Sequence, residues 1–262
     1  ADLIVPINRV KLHTDFVGPI QSGLCKMLVI GLGNHKGCSA VHEEAPEVFA
    51  GAIEETARLI LQKAPVGFGI AILENAYDKT YAVEAVPAER EKELVQIAKG
   101  NMPYIMLDEA DVIVCGAIGK DISGAGFDPN ILGRSSVLKQ FVLHIPRYQR
   151  LVLCDVTPAS HGNGIGVGLF DVITKKVAEQ LDLESMYANA IACNCLGDAS
   201  VPCTVDDEET AIRVALKCCR NIDRDHPRII RIQNTLHLGE IEVSEALLDA
   251  VRADSRMSLI EN

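Results

Sequence analysis

Three histidines and a lysine in the first 42 residues carry the chemistry that the sequence offers most plainly. His13-Thr14-Asp15-Phe16 is followed by Gly18, Gly23 and Lys26, then by Gly31, Gly33, His35 and Gly37, and the stretch closes on His42. An ε-amine can bond covalently to a cofactor or pair with an anion. Neutral imidazole is a general base near neutral pH and a common ligand of late transition metals. The intervening glycines, Gly23, Gly31 and Gly33 among them, let backbone approach a ligand closely. Taken singly, each of these residues is equally a solvated side chain in a loop.

Two further glycine-rich runs bear on an anionic ligand. Gly119-Lys120-Asp121-Ile122-Ser123-Gly124 follows an apolar strand, 111–115, where open α/β sheets bind ligands. Its amides and Lys120 suit a carboxylate or phosphate, though it matches neither a dinucleotide fingerprint nor a phosphate loop. Ser160-His161-Gly162-Asn163 precedes a run, 169–181, that reads as an amphipathic helix, so His161 would stand over a helix N-terminus. Packing turns with an exposed lysine or histidine account for both runs as well. Cys193, Cys195 and Cys203 lack the paired spacing of a zinc site. His144, His226 and His237 are isolated.

The elements that must position these residues alternate. Helices are expected over 45–63, with Pro46 at the start, over 88–99, over 169–181 and from Asp206 to Cys219, with a last one from Ser244. Strands are expected over 3–5, 66–73, 83–86, 111–115, 151–156 and 228–232, and 26–32 fits a strand or a buried helical turn equally. The alternation predicts an α/β protein of two lobes, with mainly parallel sheets flanked by helices. The polar stretch at 100–103 divides them, into 1–100 and 101–262.

Composition narrows the partners. The 262 residues carry a formal net charge of -11, which offers no basic footprint for nucleic acid. No apolar run approaches the ~20 residues of a membrane span, and no signal peptide opens the chain. Nine cysteines, an odd number, sit partly in apolar runs and read as reduced thiols of a cytoplasmic protein. Aromatic residues are only 4% and Trp is absent, so Val, Ile, Leu and Ala must fill the core.

The run 8–27, containing His13, Gly23 and Lys26, resembles the nickel-pincer lactate racemase family, and more closely that family's uncharacterised homologues. The likeness continues through Ile30-Gly31-Leu32-Gly33-Asn34-His35-Lys36-Gly37, Glu74-Asn75-Ala76-Tyr77-Asp78, and the two runs around Lys120 and His161. The resemblance implies that Lys26 carries a pyridinium dithiocarboxylate cofactor, the nickel-pincer nucleotide, through a thioamide. It implies that His42, sixteen residues later, ligates nickel and that His13 is an acid/base residue. Lys120 would lie near the substrate, at an active site between the lobes. The implied reaction is racemisation or epimerisation of a small 2-hydroxy acid by hydride transfer. The thirteen residues from His13 to Lys26 exceed the gap in lactate-specific members.

The family's first lobe also begins before residue 1 here and holds its second catalytic histidine there. The expectation is therefore a missing N-terminal segment or a homo-oligomer that supplies cover, with His161 as a substitute base. The alternatives on the same fold are a metal-free protein that binds an anion or sugar acid, and a metal-free isomerase with His13 as base.

Overall fold

The structure, a computed structural model, describes residues 1–34, 37, 40–41, 43–44, 46–87 and 90–260. It is α/β, and the chain divides into two compact units: Ala1–Pro103 with Val137–Leu143, and Tyr104–Ser136 with His144–Asn262. No helix among the described residues is long and apolar enough to cross a membrane.

The first unit is built on a three-stranded sheet, β1 (Ile7–Arg9), β2 (Gly69–Glu74) and β3 (Thr80–Val86). β1 pairs parallel with β2 and β2 antiparallel with β3, so this sheet is mixed rather than parallel. The expected strand at 3–5 is only a bridge from Ile4 to Val66. The strand lies instead in the polar stretch after it, because Ile7, Asn8 and Arg9 find partners in Ile70, Ala71 and Ile72.

Helix α1 (Leu24–Lys26) continues as a wide π turn over Met27–Gly31, closed by Leu32 N–H donating to the Met27 carbonyl at 3.1 Å. The run 26–32 is therefore helical. Its spacing explains its place: Leu24 and Leu28 bury against the sheet and the helix α3 (Glu91–Gly100), one turn apart. Cys25 and Val29 bury on the other side, with Phe16, Phe49 and Ile53. Phe49 and Ile53 belong to α2 (Pro46–Lys63), which begins at its proline as expected. Two apolar pairs facing opposite ways leave Lys26 on a third, half-buried side.

The second unit holds a six-stranded sheet in the order β7-β6-β5-β4-β8-β9. Its strands are β4 (Val112–Cys115), β5 (Arg150–Leu153), β6 (Val172–Thr174), β7 (Cys203–Val205), β8 (Ile229–Ile232) and β9 (Glu242–Val243). All pairings are parallel except that of β8 with β9. Every residue of β4 is buried, the pattern of a strand covered on both faces. Ala211 and Ala215 of a helix over Glu208–Lys217 pack on it, and Asp207 caps that helix by accepting from Thr210 N–H at 2.8 Å.

The expected helix over 169–181 is mostly something else. Its middle is β6, and the helix is confined to Lys175–Gln180. Val172, Ile173 and Thr174 are all buried as an inner strand between β5 and β7, which overrides the helical period of the longer run. The chain from 244 onward is likewise broken, with a 3₁₀ turn at Glu245–Leu247 before the helix at Leu248–Ala253.

Gly126 shows how tightly the turn after β4 is packed. Its φ is +88°, and a Cβ there would overlap the carbonyl oxygen of Ile165. Gly126→Ala is expected to destabilise the protein by about 2–4 kcal/mol, the sum of left-handed strain and overpacking. Urea unfolding checks this, and a midpoint unchanged from the wild type would contradict the packing described.

Candidate functional site

The first unit brings His13 and Lys26 together. Lys11 and Ser22 form a short antiparallel bridge, each donating its amide to the other's carbonyl at 3.0 and 3.2 Å. The bridge pinches residues 12–21 into a closed loop and returns the chain to the head of α1. Gln21, buried in that loop, holds it from inside: its Oε1 accepts from His13 N–H at 2.8 Å and its Nε2 donates to the Gly18 carbonyl at 3.3 Å. Phe16 lies beneath the imidazole at 4.2 Å between ring centroids and against Phe49 at 4.8 Å. The thirteen-residue gap thus closes in space.

At the centre, Lys26 Nζ lies 2.5 Å from His13 Nε2. The other ring nitrogen, Nδ1, accepts the backbone N–H of Asp15 at 3.0 Å. An amide always donates, so the neutral ring that keeps this bond carries its proton on Nε2. That N–H points at the lysine nitrogen, which must then accept, and only the uncharged amine has a lone pair to do so. In that tautomer the contact sets a lysine lone pair beside a proton donor, the pairing a nucleophilic amine needs. The Asp15 carboxylate stands 4.0 Å from Nδ1, beyond hydrogen-bond reach but close enough to favour a positive charge on the ring.

Glu91, at the start of α3, completes this group and was not singled out in the sequence. Its side chain is fully buried, and its Oε2 accepts Cys25 N–H at 2.6 Å. Burial pushes its carboxyl above the usual range, against the lowering effect of the Cys25 and Leu24 amides. The available signal was its place in a buried stripe: Glu91, Leu94, Val95 and Ala98 share the inner face of α3. An acid at an apolar position of such a stripe marks an unusual environment.

The glycines expected to cradle a cofactor are filled from the protein side. A Cβ at Gly23 would overlap the Glu91 carboxyl, one at Gly31 the Met27 thioether, and one at Gly33 the Val29 carbonyl oxygen. The expected nickel ligand His42 lies outside the described residues, as does His35. Among the described residues no group of three His, Cys, Asp or Glu side chains is placed to hold a metal.

The second unit groups Lys120 with Ser160 and Thr157 beyond the carboxyl ends of β4 and β5. Lys120 N–H donates to Ser160 Oγ at 2.8 Å, and its ammonium donates to the Gly124 carbonyl at 2.7 Å within its own loop. Thr157 hydroxyl bonds both Ser160 Oγ, at 2.9 Å, and the Asp121 carboxylate. His161 follows in a left-handed conformation (φ +48°), exposed. The expected helix at 169 is replaced by a single 3₁₀ turn at Val167–Leu169 and then β6, and the run instead meets the N-cap of the helix over Leu183–Ala192, where Asp182 N–H donates to the Gly162 carbonyl at 2.9 Å.

Cys115, Cys154, Cys203, Cys218 and Cys219 are free thiols. Burial pushes Cys115 up to about 12 and raises Cys154 strongly, so neither supplies a thiolate at neutral pH. Comparison with family models, with curated proteins and with solved structures gave no match to this chain.

Proposed function

We propose that this protein is a racemase or epimerase of a small 2-hydroxy acid in which Lys26 carries a nickel-pincer cofactor. The observation that supports it is the 2.5 Å contact between Lys26 Nζ and His13 Nε2, with Asp15 N–H on the far ring nitrogen. A thioamide forms only on an uncharged amine, which is the form that accepts the Nε2–H bond in this contact. The donor set fits the tether on that ground, and His42 is the side chain that would ligate the metal. When bound, the cofactor supplies a reversible hydride acceptor. His13 would then handle the substrate proton at Nε2: the neutral ring with its proton on Nδ1, released from Asp15 N–H, takes the hydroxyl proton and becomes imidazolium, and the imidazolium returns a proton to the alkoxide from the same nitrogen.

The same contact supports a second reading, a metal-free isomerase in which the uncharged Lys26 amine is itself the reagent toward a carbonyl. Intact-mass and peptide mass spectrometry of protein from its native host separates them. The first reading expects an added mass on the Lys26 peptide and nickel in proportion to it. Unmodified Lys26 in protein that racemises a 2-hydroxy acid would remove the cofactor from the proposal.

A further inference from the structure

We infer that Glu91 is a positioning residue for Lys26, holding the first turn of α1 so that the amine stays on His13. The inference rests on the reading of Lys26 as a reactive amine. Glu91 touches neither the amine nor the imidazole in the contacts described. It acts one residue away, where its Oε2 takes Cys25 N–H at 2.6 Å.

Three observations separate this role from ordinary packing. Glu91 is fully buried at a position where the helical stripe otherwise places Leu94, Val95 and Ala98, and an apolar residue there would cost no desolvation. Its carboxyl is turned on the amides at the head of α1, with Cys25 N–H on Oε2 and the Leu24 amide beside it. And Gly23, the residue before α1, has room for hydrogen alone on the side the carboxyl occupies. The head of α1 is thus shaped around the carboxyl from both sides. Asn8 adds a third tie by donating from Nδ2 to the Gly23 carbonyl at 3.0 Å.

Burial of Leu24, Cys25, Leu28 and Val29 fixes the faces of this turn, and the Glu91 carboxyl fixes its first amides. The helical segment runs only from Leu24 through Gly31, and its second half is a π turn, the less common geometry often found at functional sites. No side chain of the N-cap residue caps it, since that residue is Gly23. The Glu91 carboxyl supplies from a distant part of the chain the acceptor that a local cap would provide. A shift of the Cys25 amide carries the next residue, Lys26, with it.

The test reads the amine directly and needs no cofactor. Purified full-length wild type, Glu91→Ala and Glu91→Gln are treated with trinitrobenzenesulfonate across a pH series, and each lysine peptide is followed by mass spectrometry. In the wild type, Lys26 is expected to label faster at neutral pH than Lys63 and Lys99, which serve as internal references. Glu91→Ala should slow Lys26 by about tenfold, the worth of one buried hydrogen bond at about 1.4 kcal/mol per decade, and leave the references unchanged. Glu91→Gln keeps an oxygen for Cys25 N–H and should restore most of the rate.

If Glu91→Ala fails to fold, the comparison passes to Glu91→Gln and Glu91→Leu. The leucine variant fills the space without an acceptor and should show the slow rate. Equal Lys26 rates in wild type and the variant lacking the acceptor would overturn the inference and leave the reading of Lys26 standing. A wild-type Lys26 no faster than Lys63 and Lys99 would overturn both.

Discussion

Lys26→Arg is expected to abolish racemisation, lowering kcat/KM by at least about 10³-fold, and to remove the added mass from the peptide that carries it. Arginine keeps the positive charge and nearly the length of lysine, so a residue needed only to attract an anion would lose far less. A guanidinium has donors and no lone pair, which makes it unable to accept from His13 Nε2 at the position where Lys26 lies at 2.5 Å. It also cannot be acylated to a thioamide. The measurement is turnover of both enantiomers of several 2-hydroxy acids after cofactor loading, alongside intact mass. Racemisation by Lys26→Arg within tenfold of wild type would sink the covalent role of this residue.

His13→Gln carries the second largest expected effect, a fall in kcat of about 10²–10⁴-fold with the Lys26 adduct still formed. Glutamine can donate and accept hydrogen bonds at about the same reach but cannot hold a proton in exchange with substrate. The loop should survive the change, because it is held by the Lys11–Ser22 bridge and by Gln21, which takes the backbone and not the ring of residue 13. A variant that binds substrate with little change in KM, retains the adduct and turns over slowly would match an acid/base residue. Retention of full turnover would move the proton chemistry away from His13.

The two results are informative together. Loss of the adduct in Lys26→Arg and its retention in His13→Gln would separate the residue that bears the group from the one that moves a proton. Were both variants to lose the adduct, His13 would be acting first on the lysine, as the partner that keeps its amine uncharged for acylation. The distance between the two nitrogens allows either role, and the mass of the His13→Gln protein distinguishes them.

What the sequence determined on its own was the alternation of strands and helices and the elements with strong local signals. The helix from Pro46 has a proline start and a sustained apolar face, and the one ending at Lys217 has an aspartate cap, so each is written in residues close together in the chain. β4 was legible because both of its faces are buried, which leaves an unbroken apolar run. His13 and Lys26 could be named as candidates from residue type and glycine context alone.

Tertiary structure decided the rest, and the reason in each case is a partner distant in sequence. Ile7–Arg9 is a strand because β2 lies beside it, although its own residues read as a polar loop. Val172–Thr174 is a strand because β5 and β7 flank it, although the run around it has a helical period. Glu91 became part of the site only when α3 laid it against the head of α1, 66 residues away in sequence. The contact between imidazole and amine exists because a two-residue bridge folds the loop between them closed. Local periodicity reports which face of an element is apolar, but which side chains meet is set by the energy of burying those faces together.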